Sequence, residues 1–269
     1  MRYLIAVDLE GIHGVLGEPY KTLTDARDYG LAAENAAKEI NAAVCALFDE
    51  GAELVAVWDN HGGGGNIDFS KVDGRVVKID ASKDEYRFDF AKEYGFDAII
   101  FIGYHAMEGS MRGILAHSYS SVAIQYIELN GVRMGELGVD TLICGELGIK
   151  PIFLASDDVC IEEMRSIIPD IGAATTKLAE GRNRGTLLPE ADVLASIYEG
   201  VRRSARGFAP SAALKLGDGA ALEIRYTRAE RAAEEFQTAA RLGIPAEYGR
   251  DSHTLRFKIS AANQITKLT

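Results

Sequence analysis

The chain has 269 residues and a formal net charge of −11, long enough for one large domain or a core with a smaller lobe. The acidic balance works against polyanionic partners, since nucleic-acid binding rests on neutralising phosphates. No apolar stretch approaches the ~18 residues of a membrane span, so neither nucleic acid nor membrane is expected as a partner. Cys45, Cys144 and Cys160 are few, odd in number and widely spaced, which predicts reduced core thiols rather than a disulfide framework or a zinc ribbon. The opening MRYLIAVDLEG carries acids at once and has no small-residue cleavage site, so no secretory signal is expected there and the cytoplasm is the expected compartment.

In chain order, residues 3–7 form a β-rich apolar run followed by a loop to about residue 22. An Ala-rich pattern over 25–48 predicts a long helix closed by Gly51. Residues 53–58 read as a second strand, 60–66 as a Gly-rich loop and 76–79 as a third strand. A short helix over 88–94 ends at Gly95, and 98–102 is another buried strand. Residues 122–129 and 132–134 flank Asn130-Gly131, the dipeptide that favours the tight turn of a hairpin. A helix over 137–147 leads to a strand at 152–155. Short apolar strands alternating with helices predict a largely parallel sheet covered on both faces. The hairpin adds an antiparallel element, so the expectation is a three-layer α/β/α fold with a mixed sheet. After about residue 175 the pattern loosens, with helices at 194–206 and 228–242 and strands at 222–226 and 254–259. This reads as a smaller C-terminal lobe over 176–269, packed without a flexible linker on a metal-binding core over 1–175.

The placement of the polar residues points to chemistry. Asp8 and Glu10 sit at the end of the first strand, His61 follows the second, and His105 follows the strand at 98–102. In an open α/β sheet, ligands gather in the crevice beyond the carboxyl ends of the strands. Residues i and i+2 of a strand face the same side, so Asp8 and Glu10 can present both carboxylates to one site, while Gly11 permits a turn that a side chain would hinder. Carboxylates with neutral imidazoles suit Zn²⁺, with Mn²⁺ or Co²⁺ as substitutes.

VDLEG at 7–11, DNH at 59–61, GYHA at 103–106, AHS around His117 and GELG at 135–138 together resemble the DppA-type D-aminopeptidases of peptidase family M55. The blocks appear in family order over roughly residues 1–158, and Lys177, Arg182 and Pro189 loosely resemble the family's basic segment. The resemblance implies two zinc ions. Asp8 would bridge them, Glu10 and His61 would complete one, and His105 and Glu136 the other. Two ions and three carboxylates leave a charge of +1, which favours hydroxide at the pair. His117 matches the family's proposed catalytic residue, and an imidazole, with an ordinary pKa of about 6.5, suits proton transfer near neutrality. The resemblance further implies short peptide substrates beginning with a D-residue such as D-alanine, and a ring-shaped homo-oligomer, a decamer.

Blander readings stand beside these. Asp59 and Asn60 either orient the imidazoles or simply form the turn. Glu136 favours a helix start with or without a metal. Residues 62–65, four glycines that depart from the family's pattern, read as a surface loop rather than a lid. Lys177, Arg182 and Arg184 read as an exposed basic segment rather than a holder of a peptide carboxylate. Arg202, Arg203 and Arg206 form a solvated helix face, Trp58 belongs to the core, and His13 and His253 are non-ligands. Two rival functions fit the same residues: another binuclear hydrolase acting on a different amide or a phosphate ester, and a non-enzymatic metal-binding accessory to peptide uptake.

Overall fold

The computed structural model describes residues 1–208, 214–217 and 219–269. The chain opens on β1 (Arg2–Val7), of which all but the first residue are buried. After α1 (Tyr29–Asp49) come β2 (Leu54–Asp59), β3 (Val77–Lys78), α2 (Ala91–Tyr94) and β4 (Ala98–Ile102). The hairpin strands β5 (Ile124–Leu129) and β6 (Val132–Met134) precede α3 (Glu136–Glu146), β7 (Lys150–Ser156), α4 (Asp158–Ile167) and β8 (Gly172–Thr175). Then follow β9 (Lys177–Gly181), β10 (Arg184–Leu187), α5 (Glu190–Arg206), β11 (Ala220–Tyr226), α6 (Ala229–Arg241), β12 (Ala246–Tyr248), β13 (Thr254–Ile259) and α7 (Asn263–Thr266). Among the described residues no helix is long and apolar enough to cross a membrane.

Six strands form one sheet in the order β3-β2-β1-β4-β7-β8, parallel at every pairing. Both faces are covered, as an all-parallel sheet requires. Tyr3, Ile5 and Val7 of β1 pack with apolar residues of α1 and α5 on one face. Leu4 and Ala6 belong to the core on the other face, which also takes in residues of α3 and α4. The three-layer α/β/α architecture expected from the alternating strands and helices is present.

The antiparallel component lies elsewhere than expected. The hairpin β5–β6 does not extend the main sheet; β5 pairs with β11 in a five-stranded sheet ordered β12-β13-β11-β5-β6. Its burial explains why. Residues of β11 alternate between buried and more exposed, and β5 turns Gln125 and Glu128 outward, suiting a sheet with one wet face, whereas β4 is buried along its length and β1 at all but its first residue. The inner face of this second sheet, including Leu222, Ile224 and Phe257, shares the apolar core beneath α3. The Asn130-Gly131 turn has the expected form, with φ of 51° and 84°, both left-handed as a type I′ turn demands.

Candidate metal centre

The topology brings three strand ends together. Val7 lies level with Asp59 across β1–β2 and with Ile102 across β1–β4. The ladder runs one step further, Asp8 N–H donating to Ile102 O at 2.8 Å and Asn60 N–H to Val7 O at 2.8 Å. The chain then leaves the sheet at Asp8, Asn60 and Gly103 side by side. Strand order reverses at β1, with β2 and β3 on one side and β4, β7 and β8 on the other, so this crevice is a topological switch point. Two glycines let the loops meet. A Cβ on Gly11 would sit 2.1 Å from Tyr104 O, and one on Gly103, whose φ is +74°, would sit 2.0 Å from Asp8 O. Gly11 is needed for this close approach to the β4 loop rather than for a turn of its own.

All six sequence-predicted residues meet there. Asp8, Glu10 and His105 are buried. His61 Nδ1 lies 2.9 Å from Asp8 Oδ1 and 3.2 Å from Glu10 Oε2. His105 Nε2 lies 3.5 Å from Asp8 Oδ2 and 3.4 Å from Glu136 Oε1. Glu136 opens α3, and its Oε1 also accepts from Tyr119 N–H at 2.6 Å. His117 stacks on His105 with ring centroids 3.9 Å apart, its Nε2 3.7 Å from Glu136 Oε1. Donor atoms of Asp8, Glu10 and His105 lie within 4.8 Å of one another, as do those of His105, His117 and Glu136.

The donor chemistry fits a metal. His105 Nδ1 faces Ala106 O at 3.0 Å and His117 Nδ1 faces Leu115 O at 2.8 Å. Each carbonyl requires an N–H on that nitrogen, the usual second partner of a metal-bound histidine, so Nε2 is the nitrogen turned toward the site. Separations of 3.4–3.5 Å between neighbouring donors match the edge of a tetrahedron with bonds of about 2.0–2.2 Å. The three carboxylates form ion pairs with imidazoles alone among the described residues. Burial opposes a charge on Glu10 and Glu136, yet the hydrogen bond from His61 to Glu10 and that from His105 to Glu136 hold both carboxyls below the usual range. The effect is reciprocal: against burial, Asp8 and Glu10 raise His61 to about 11, and Glu136 with Asp8 raises His105 to about 10. A field that retains protons on two buried imidazoles is one that draws in dications.

The supporting groups include some that the sequence reading misjudged. Lys177 was expected on an exposed segment; it is fully buried, its Nζ donating to Glu10 O at 2.6 Å and Ile12 O at 2.8 Å. Burial lowers its pKa to about 8, against the pull of Asp157, Glu39 and Glu10. Thr176 adds a bond to Gly11 O at 2.7 Å, so the loop bearing Glu10 is held from behind. Asp59 forms the turn rather than orienting an imidazole: it accepts from Asn66 N–H at 2.6 Å and Asn66 Nδ2 at 2.9 Å, closing the loop over residues 62–65. Asn60 instead donates to Tyr104 Oη at 2.8 Å, which donates to Asp140 at 2.7 Å, and Asp140 is held by Arg87 at 2.5 and 2.8 Å.

The remaining residues fall outside the cluster or at its rim. His13 Nε2 contacts Leu188 O at 2.7 Å and His253 Nδ1 contacts Tyr226 O at 3.3 Å. Trp58 packs edge-on against Phe88 and Phe90 in the core. Arg184 is exposed and pairs with Glu180, while Arg182 lines the same cleft of about 300 Å³ as the six residues. Arg202 and Arg206 both bond Glu50, the residue that follows α1. Cys144 and Cys160 are buried thiols, but Cys45 is exposed, correcting the expectation that all three are core residues; it lies on the outer face of α1.

Comparison with known proteins identifies the family and the fold. A "D-aminopeptidase" of Bacillus subtilis (strain 168) is 26% identical over 185 residues, 68% of this chain and 66% of that protein. The structure of "Zn-dependent D-aminopeptidase DppA from Bacillus subtilis, a self-compartmentalizing protease" shares the fold with a TM-score of 0.85 at 23% identity, covering 100% of this chain and 95% of that one. The M55 peptidase family, described as D-aminopeptidase, matches residues 1–268, and the chain belongs to that family.

Proposed function

We propose that the protein is an aminopeptidase with two zinc ions per chain, replaceable by Mn²⁺ or Co²⁺, that releases the first residue of short peptides. Asp8 would bridge the ions, Glu10 and His61 would complete one, and His105 and Glu136 the other. The observation that carries this reading is the divergence of the Asp8 carboxylate: Oδ1 faces His61 and Oδ2 faces His105. One carboxylate presented to two imidazole-bearing half-sites is what a bridging ligand requires.

Bound to this set, a pair of zinc ions supplies a Lewis acid for the carbonyl oxygen, an anchor for a free amine and a water acidic enough to attack near neutral pH. His117 moves the proton. With its Nδ1 held on Leu115 O, its Nε2 takes a proton from the attacking water and delivers it to the amine nitrogen as the C–N bond breaks. The buried carboxylates around it stabilise the imidazolium formed in between. The family's description supports a D-residue at the cleaved end. The self-compartmentalizing neighbour supports a homo-oligomer, for which we adopt the ring of ten that the family resemblance implies, working in the cytoplasm.

The test is a substrate panel: D- and L-alanyl dipeptides, each free and N-acetylated, with an aryl phosphate as control. Strong suppression by N-acetylation and faster turnover of the D-peptide are expected. Equal rates on blocked and free peptides would exclude an aminopeptidase, and turnover of the phosphate alone would point to the rival hydrolase.

A further inference from the structure

The cleft above the metal centre is bipolar. Asp8, Glu10 and Glu136 line it together with two cations, Lys21 and Arg182. Lys21 is already matched, with Glu18 at 3.1 Å. Arg182 differs. It occupies the turn between β9 and β10 and is tied twice to the loop that carries His117: Leu115 N–H donates to its carbonyl at 2.8 Å, and its own Nη1 donates to Ala116 O. Its acidic neighbour Glu108 lies at 4.0 Å, too far for a hydrogen bond. Nε and Nη2 have no hydrogen-bond partner among the described residues, and the side chain is 49% exposed. The guanidinium is thus oriented by its neighbours and left with a free edge.

We infer that Arg182 binds the C-terminal carboxylate of the substrate, so that the cleft reads both ends of a di- or tripeptide at once. This inference rests on the aminopeptidase reading and names the substrates within it. A guanidinium presents paired N–H groups that match a carboxylate, and such charge-assisted pairs are stronger than neutral ones. Size agrees. An extended peptide spans about 3.3–3.6 Å per residue, and a cleft of about 300 Å³ lies at the small end of ligand sites. Long chains place their carboxylate beyond reach of Arg182 and gain nothing from it.

The experiment compares D-Ala-D-Ala with its C-terminal amide on the zinc-loaded wild type, Arg182→Ala and Arg182→Lys, with metal content measured alongside. Arg182→Ala should raise KM for the free acid by roughly 10- to 100-fold, the weight of a charge-assisted hydrogen bond, and leave the amide within about threefold. Arg182→Lys should fall between, since a point charge replaces the fork, and zinc content should not change. Parallel losses on acid and amide would mean that Arg182 only supports the His117 loop and would overturn the inference, as would unchanged kinetics on both. If the wild type cleaves neither compound, the D-peptide reading fails on its own. Calorimetric binding of the two compounds then decides for Arg182: tighter binding of the acid, lost in Arg182→Ala, upholds the carboxylate site, and equal affinities overturn it.

Discussion

His117 lies at ring-stacking distance from His105, near enough to the metal centre that its role has to be separated from theirs. A general acid/base contributes typically ~10²–10⁴-fold to rate, whereas a lost ligand first costs metal. His117→Ala should therefore retain full zinc content while kcat falls by roughly that factor; loss of an ion instead would make it a ligand. Lys177 acts at one remove, through two backbone carbonyls. Lys177→Met leaves Glu10 O buried without a donor, while Ile12 O keeps Val15 N–H at 3.2 Å; the cost is about 1–3 kcal/mol, offset in part because a buried charge is removed. A lower Tm and weaker zinc retention are expected. Unchanged zinc affinity would mean that the Glu10 loop holds its shape without the lysine. Asp8, Glu10, His61 and His105 were legible because each follows a strand, a position fixed by local pattern, whereas Glu136 and His117, the latter in the long loop between β4 and β5, were legible only through the family motifs GELG and AHS. The burial of Lys177 was not. It depends on carbonyls 165 and 167 residues away in sequence, and no local signal separates such a lysine from a solvated one.

The elements that matter most to the site are the loops leaving β1 and β4, whose contact leaves no room for side chains at Gly11 and Gly103. Gly103→Ala must relieve a clash with backbone in a left-handed conformation. A loss of about 1–3 kcal/mol or more is expected, with reduced metal binding because Asp8 and His105 move apart. Gly63→Ala is the control, since a Cβ there meets nothing within 4 Å and should leave zinc binding unchanged. A neutral Gly103→Ala in both stability and zinc content would show that the two loops are not held in register. Element recognition followed the strength of local signals. Continuous apolar runs marked β1, β2 and β4, and Asn130-Gly131 marked its hairpin. Helix α4 is not among the elements expected from the sequence although Asp157 caps it, its carboxylate accepting from Cys160 N–H at 2.8 Å; at ten residues with only Cys160, Ile161 and Met164 buried, its apolar stripe is too short to stand out. The partner of β5 was beyond sequence reading, since β11 lies about ninety residues later and pairing across such a distance is set by shared core burial.

For the whole molecule, the field of the metal centre links zinc to protons. In the metal-free protein His61 and His105 keep their protons up to about 11 and about 10. Their ion pairs contribute stability that is fully present below the ordinary imidazole pKa of about 6.5 and is lost as pH rises through those folded values. Zinc must displace these protons, so its affinity should climb with pH from 7 towards 10. Calorimetry in two buffers of different ionisation enthalpy should find about two protons released per chain at pH 7; zinc uptake without proton release would contradict the charge state assigned to the cluster. The central claim is tested most directly by elemental analysis of the purified, zinc-equilibrated wild type beside Asp8→Ala and His61→Ala. The account predicts close to two zinc ions per wild-type chain, loss of both in Asp8→Ala and weakening of mainly one in His61→Ala. Full zinc content in Asp8→Ala would contradict it, because no bridging carboxylate would then be holding the pair.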